Sequence, residues 1–352
     1  MRKAGCLLGL FLKGNAYFNK RMEVRFILYT TMLNSTCQQP TVYEDQQESR
    51  LADLPKESGS AASHRPKKML VAEQRNEWYE GSVGYDPTFL DHSITVPLPK
   101  LRPDLEQGIA LLKDGNTVLN YTHFSIVMSK SRRLAYYTAV NIHGDLLVKV
   151  KRTKDKWYFD PRLDREYQLG PELYKNSDFT RGHLVRRRDP AWGESAPKAN
   201  EDTFHFTNCS PQHQNLNQKT WLDLEDYILN NADTFNLKVT VFTGPVFRID
   251  DMFYRGFQIP AEFWKVVVMV KMDGTLSATA YLQTQKNLLR DYEFAYGSYK
   301  TYQVPISNIE NLTGLNFGEL RIYDLLDRIK ANAHHHESTN VHIIEKPEDI
   351  KL

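Results

Sequence analysis

Cysteine is scarce in this chain of 352 residues: Cys6, Cys37 and Cys209 are all it has. So small and odd a set does not make a disulfide framework. No Cys-x-x-Cys pair occurs, which removes zinc sites of the usual spacing. Long apolar runs are missing too. The longest near the start, Ala4 to Leu12, is nine residues, whereas a membrane-spanning helix needs about 20. No stable membrane span is expected. Charge of one sign is also lacking in bulk. Lys and Arg total 45 against 43 Asp and Glu, a net charge of +2. That balance excludes a protein that coats nucleic acid by overall charge, but it leaves room for a local basic site.

The composition is otherwise that of a folded protein. Hydrophobic residues make up 41% and aromatics 12%, enough for a sizeable core. Residues 1–37 read as a leader or poorly ordered N-terminus, with Arg2, Lys3, Lys13, Lys20, Arg21 and Arg25 against the single acid Glu23. The segment fits a secretory signal, a lipoprotein signal or a transit peptide imperfectly, since Lys13 directly follows the apolar run. Secretion or a periplasmic location suits it best, with cytoplasmic or organellar placement left open. Residues 38–75 are rich in Gln, Glu, Ser, Lys and Pro without apolar periodicity, as in a flexible linker. Residues 76–333 read as one domain. A polar tail, 334–352, begins with His334-His335-His336-Glu337.

Within the domain, short β-branched and aromatic runs predict strands at His123–Met128, Ala135–Val140, Leu146–Val150, Lys238–Thr243, Phe263–Lys271 and Thr275–Leu282. Helical patterns cover Asn217–Asn230 and Phe317–Ala331. Runs of strands with a few helices predict an α+β fold with a mixed, mainly antiparallel sheet.

Two stretches carry chemistry. In the first, Arg181, His183, Arg186, Arg187 and Arg188 fall within eight residues with no acid among them. An Arg cluster alone is usually a solvated face. Here Gly182 allows close backbone approach or an unusual dihedral, which would present His183 at a turn rather than in a strand. Like charge around His183 disfavours its protonation, and a neutral imidazole is what a general base requires. The arginines favour a phosphate-bearing substrate. The second stretch runs Thr207-Asn208-Cys209-Ser210-Pro211-Gln212 to Asn217 and Trp221-x-x-x-Glu225. On a helix Asn217, Trp221 and Glu225 share one face. An amide oxygen and a carboxylate there, with water, suit Mg²⁺, although an ordinary amphipathic helix gives the same pattern.

Taken together, Arg181-Gly182-His183-Leu184, Thr207-Asn208-x-Ser210-Pro211-Gln212, Asn217 and Trp221-x-x-x-Glu225 resemble the DNA/RNA non-specific endonuclease family. Flanking segments such as Phe242-Thr243-Gly244-Pro245 and Ile259-Pro260-x-x-Phe263-Trp264-Lys265 resemble its bacterial branch. The resemblance covers roughly Tyr121 to Leu325. It implies a ββα-metal finger active site and hydrolysis of phosphodiesters in DNA and RNA. It also implies His183 as general base, Asn217 as the direct metal ligand and Glu225 holding water around the metal. By the same likeness Arg181 meets the phosphate, Asn208 supports the site and Arg132 contacts substrate. Arg186 and Arg187 join as substrate-binding candidates. Mg²⁺ is the expected cofactor, with other divalent cations such as Mn²⁺ compatible. One departure stands out: the family commonly has Asp before Arg-Gly-His, and here Thr180 occupies that place.

Other readings stay open at this level. An inactive member would serve as a nucleic-acid-binding module, and a relative could hydrolyse another phosphodiester. A zinc enzyme built on His334–His336 fits least, because adjacent histidines cannot all face one metal from a regular element. His123 and His205 read as packed residues, and Trp157, Trp192 and Trp264 as core anchors. Nothing marks Cys209 as a nucleophile. The oligomeric state is undetermined, a homodimer included.

Overall fold

The computed structural model describes residues 74–152, 155–213, 220–271, 273–285, 300–332, 342–344 and 349–350. The leader, nearly all of the linker, His334–His336 and Asn217 lie outside the described residues. No described helix is long and apolar enough to cross a membrane.

Four nine-residue strands form the centre: β4 (Ala135–His143), β7 (Lys238–Val246), β10 (Glu262–Val270) and β11 (Leu276–Thr284). They belong to one eight-stranded antiparallel sheet. The strands outside this centre are β2 (Leu119–Asn120), β3 (Phe124–Met128), β12 (Lys300–Val304) and β14 (His342–Ile344). The order is β14-β12-β11-β10-β7-β4-β3-β2. Separate from the sheet stand β1 (Lys100–Leu101) with β13 (Leu315–Asn316), β5 (Phe179–His183) with β6 (Cys209–His213), and β8 (Met252–Tyr254) with β9 (Phe257–Ile259). The fold is therefore α+β with a large antiparallel sheet, as the strand-rich pattern predicts.

The period of two along β10 explains where the core sits. Phe263 and Val267 point into one apolar cluster, and Trp264, Val266 and Val268 into another on the opposite face. Both faces are covered, so the strand reads as a nearly continuous apolar run. Helix α1 (Thr220–Phe235) covers the first face through Leu224, Leu229 and Ala232, joined by Leu184 and Val185. Helix α2 (Ile306–Thr313) covers the second through Ile306 and Ile309. Each such large side chain contributes roughly 1.5–3 kcal/mol when fully buried.

Two expected elements take another form. Leu146–Val150 makes no strand: Leu147 forms a lone bridge to Trp192, and Val148 donates its N–H to Ala191 O at 2.9 Å. Leu146 and Val148 stay exposed, so local β-propensity found no partner strand to pair with. The helix expected over Phe317–Ala331 is broken in two. A 3₁₀ turn spans Gly318–Tyr323 and α3 spans Leu325–Asn332. Between them, buried Asp324 accepts N–H bonds from Ile306 (2.8 Å) and Leu326 (3.1 Å). A residue capping two helix starts cannot also be a helix interior.

Candidate active site

Strands β5 and β6 pair antiparallel, with Gly182 opposite Ser210 and His183 opposite Cys209. Helix α1 follows β6 in the chain. This is a ββα arrangement, and it brings the two sequence stretches together. His183 is the last residue of β5, not part of a turn. Nor does Gly182 need an unusual dihedral. Its role is close approach: a Cβ there would lie 2.2 Å from the Gln212 carboxamide. Gln212 is buried, so it has little room to withdraw.

Asn208 locks the exit from β5. Its Oδ1 accepts the Val185 N–H at 2.9 Å, and its Nδ2 donates to Val185 O (2.9 Å) and Thr203 O (3.0 Å). The Asn208 carbonyl accepts the Leu184 N–H at 3.0 Å. The fully buried amide thereby fixes the backbone on which His183 sits. Thr180 donates its hydroxyl to Gln212 O at 3.0 Å, adding a cross-strand link.

His183 is half-buried, with Trp157 4.8 Å and Phe204 4.9 Å away between ring centroids. Its Nε2 is shielded from solvent and has no hydrogen-bond partner in the protein. Burial lowers its pKa to about 4; Asp155 opposes this, while Arg152, Arg187 and Arg181 add to it. The neutral imidazole expected from the Arg cluster is therefore owed first to desolvation and second to like charge. Arg181 is exposed and lies over the Trp157 ring at 5.4 Å. Arg187 donates to Val150 O (3.3 Å) and Asn200 Oδ1 (3.2 Å).

Glu225, in the second turn of α1, is buried between two cations. Arg186 Nε lies 3.3 Å from Oε2, and Lys265 Nζ lies 2.9 Å from Oε1. Arg186 also reaches Asp226 Oδ1 at 2.6 Å, and Lys265 reaches Thr243 Oγ1 at 3.1 Å. Nearby Asp189 is buried as well; desolvation pushes its carboxyl up to about 6, with Arg186 opposing. Arg186 is thus engaged inward. Arg132 is likewise occupied: it pairs with Asp251 and donates to Arg248 O and Gln258 Oε1, both at 3.1 Å.

Sequence reasoning misses several members of this neighbourhood. Lys265 enters it only within a flanking motif, yet a lysine centred in an apolar strand, in phase with Phe263 and Val267, signals a buried charge in need of a partner. Arg152 and Asp155 ion-pair at 2.8 Å and bear on His183 electrostatically; no local pattern marks them. Cys209 is buried, 3.1 Å from the Tyr174 hydroxyl, and burial pushes its thiol up to about 12, far from a thiolate nucleophile. His205 is a core residue bonded to Tyr79 Oη and Asp202 O, each at 2.8 Å.

A sequence model of DNA/RNA non-specific endonucleases matches residues 104–320. The chain belongs to that family. An uncharacterized Sinorhizobium fredii protein, y4fB, is 38% identical over 69% of this chain and 40% of its own length. Bovine mitochondrial endonuclease G is 30% identical over 41% of this chain and 49% of its own. A Serratia marcescens nuclease is 26% identical over 54% and 71% respectively. The chain thus spans about half the length, or less, of the first two relatives. A solved chain of the EndoG/EndoGI complex aligns at a TM-score of 0.47 with 21% identity, over 58% of this chain and 88% of that one.

Proposed function

We propose that this member of the family is a divalent-metal-dependent endonuclease that hydrolyses phosphodiester bonds of DNA and RNA, its active domain spanning residues 76–333. The observation that carries the reading is His183: a neutral, shielded imidazole at the end of β5, on which Arg152, Arg187 and Arg181 bear electrostatically. In this reading the His183 imidazole accepts a proton from the attacking water. Arg181 is exposed and free to meet the phosphate, stabilising charge that grows in the transition state. Asn208 holds the His183 backbone in place, and Arg187 adds positive potential beside it. Arg186 serves the site by holding Glu225.

The donor chemistry fits a hard cation such as Mg²⁺ or Mn²⁺. Among the described residues no three His, Cys, Asp or Glu side chains gather at one point. In this reading the cation is held by one amide oxygen, from Asn217, and by water. Both Glu225 oxygens already face a cationic side chain, so direct metal binding would have to displace one of these; in this reading Glu225 holds water around the metal instead. When bound, the metal would supply Lewis-acid stabilisation of the phosphate and the leaving oxygen. Recognition of phosphate rather than base edges would make cleavage sequence-independent and salt-sensitive.

The test is plasmid and RNA digestion with Mg²⁺ by the wild type and His183→Ala. Cleavage should vanish in the variant while its circular dichroism and melting stay native. Full activity in His183→Ala would overturn the assignment.

A further inference from the structure

We propose that the segment Leu146–Trp157 is a track for the sugar-phosphate backbone of duplex nucleic acid, leading to the His183 site. This rests on the nuclease reading and names the surface that would hold substrate beyond the cleaved bond.

Residues 149–156 contain Lys149, Lys151, Arg152, Lys154 and Lys156 against the single acid Asp155. Asp155 is taken by Arg152. Among the described residues, Lys149, Lys151 and Lys156 have no carboxylate within ion-pair distance, and all three are exposed. The structure ties this cationic segment down at both ends. Upstream, Leu147 bridges to Trp192, the Leu146 carbonyl accepts the Gly193 N–H at 2.9 Å, and Arg187 donates to Val150 O at 3.3 Å. Downstream, Trp157 is buried and packs on His183 at 4.8 Å. The described residues of the segment, 146–152 and 155–157, thus start just after β4 and end against His183. Arg152 contributes to keeping His183 neutral, so charge on the segment is felt at the site.

Lys156 lies over the Tyr158 ring at 4.8 Å, which leaves its charge unneutralised. Lysines without a carboxylate partner beside a phosphodiester site suit a regular polyanion better than a folded acidic protein, because each exposed ammonium meets one phosphate without needing a fixed partner geometry. The two exposed apolar side chains, Leu146 and Val148, make an anionic lipid surface the competing occupant.

The experiment uses the full chain in EDTA without divalent cation. Anisotropy of a labelled 30-base-pair DNA duplex is followed from about 50 to 200 mM NaCl, the range over which several phosphate contacts change affinity strongly. Wild type is compared with Lys149→Gln/Lys151→Gln/Lys156→Gln and with a charge-matched control, Lys100→Gln/Lys113→Gln/Lys271→Gln. The slope of log K against log salt should fall in magnitude by about 0.9 per lysine removed from the segment, about 2.7 in all. The control slope should stay at the wild-type value. Matching slopes in the two triple variants, with both melting like wild type, would overturn the track. So would loss of binding to phosphatidylserine vesicles with an unchanged DNA slope. If wild type cleaves no nucleic acid with Mg²⁺ yet shows the segment-dependent slope, the nuclease reading fails and the track stands. Cleavage with no segment-dependent slope removes the track and leaves the nuclease reading intact.

Discussion

Lys265→Met is the most informative single change away from the reacting groups. It replaces a fully buried ammonium, 2.9 Å from Glu225 Oε1, with an apolar side chain of similar length. At that distance and an effective dielectric of about 20, the pair attracts by roughly 6 kcal/mol before desolvation is subtracted. Burying each ion costs several kcal/mol, so the net value of the pair is much smaller. Removing one partner is another matter, since it strands a buried carboxylate; the usual penalty is about 3–5 kcal/mol. Arg186 still faces Oε2 at 3.3 Å, which argues for the lower end, about 3 kcal/mol. For a domain of this size, at about 2–4 °C per kcal/mol, the melting temperature should drop by about 6–12 °C. Urea unfolding followed by tryptophan fluorescence and circular dichroism measures the free-energy loss, and a thermal scan the shift in melting. The paired variant Glu225→Leu/Lys265→Met removes both charges and should recover more than half of the loss, because an apolar pair needs no compensation. A Lys265→Met variant that loses under about 1 kcal/mol would refute the reasoning that the Glu225 carboxylate is stranded without Lys265.

Three further outcomes follow from the hairpin and its histidine. Gly182→Ala should destabilise by about 1–3 kcal/mol through overpacking against Gln212, and Gly182→Ala/Gln212→Ala should relieve most of it; a neutral single variant in a urea titration would contradict the close approach. With the His183 pKa lowered to about 4, the base form persists well below neutrality, so the acid limb of kcat/KM due to this group should lie near pH 4. An acid limb of wild-type kcat/KM near pH 6.5 would show that desolvation does not control this imidazole. The stability sign agrees. As pH falls from about 6.5 towards 4 the unfolded chain gains a proton at this position that the folded one refuses, so folding weakens in that window. His183→Asn should lose stability less steeply than wild type there.

Much of the candidate site was legible in the primary structure because its residues fall in short runs. Arg181-Gly182-His183 and Asn208-x-Ser210-Pro211-Gln212 each lie along one strand or its approach, so local order reports them directly. The α+β class was legible for the same reason: strands such as β10 announce themselves by β-branched residues in series. What failed was whatever depends on a partner elsewhere. Leu146–Val150 has the composition of a strand but makes only a lone bridge, from Leu147 to Trp192, and Phe317–Ala331 has a helical period that buried Asp324 interrupts by capping two helix starts.

The sequence by itself determined the family, the candidate base and the position of a candidate metal-binding segment, since motif order and spacing are one-dimensional properties. Only the tertiary structure decided which charges meet. Arg186, Glu225 and Lys265 come from a loop, a helix and a strand, and His183 owes its neutrality more to burial than to its arginine neighbours. Burial and ion pairing depend on distances through space, and no periodicity along the chain encodes them.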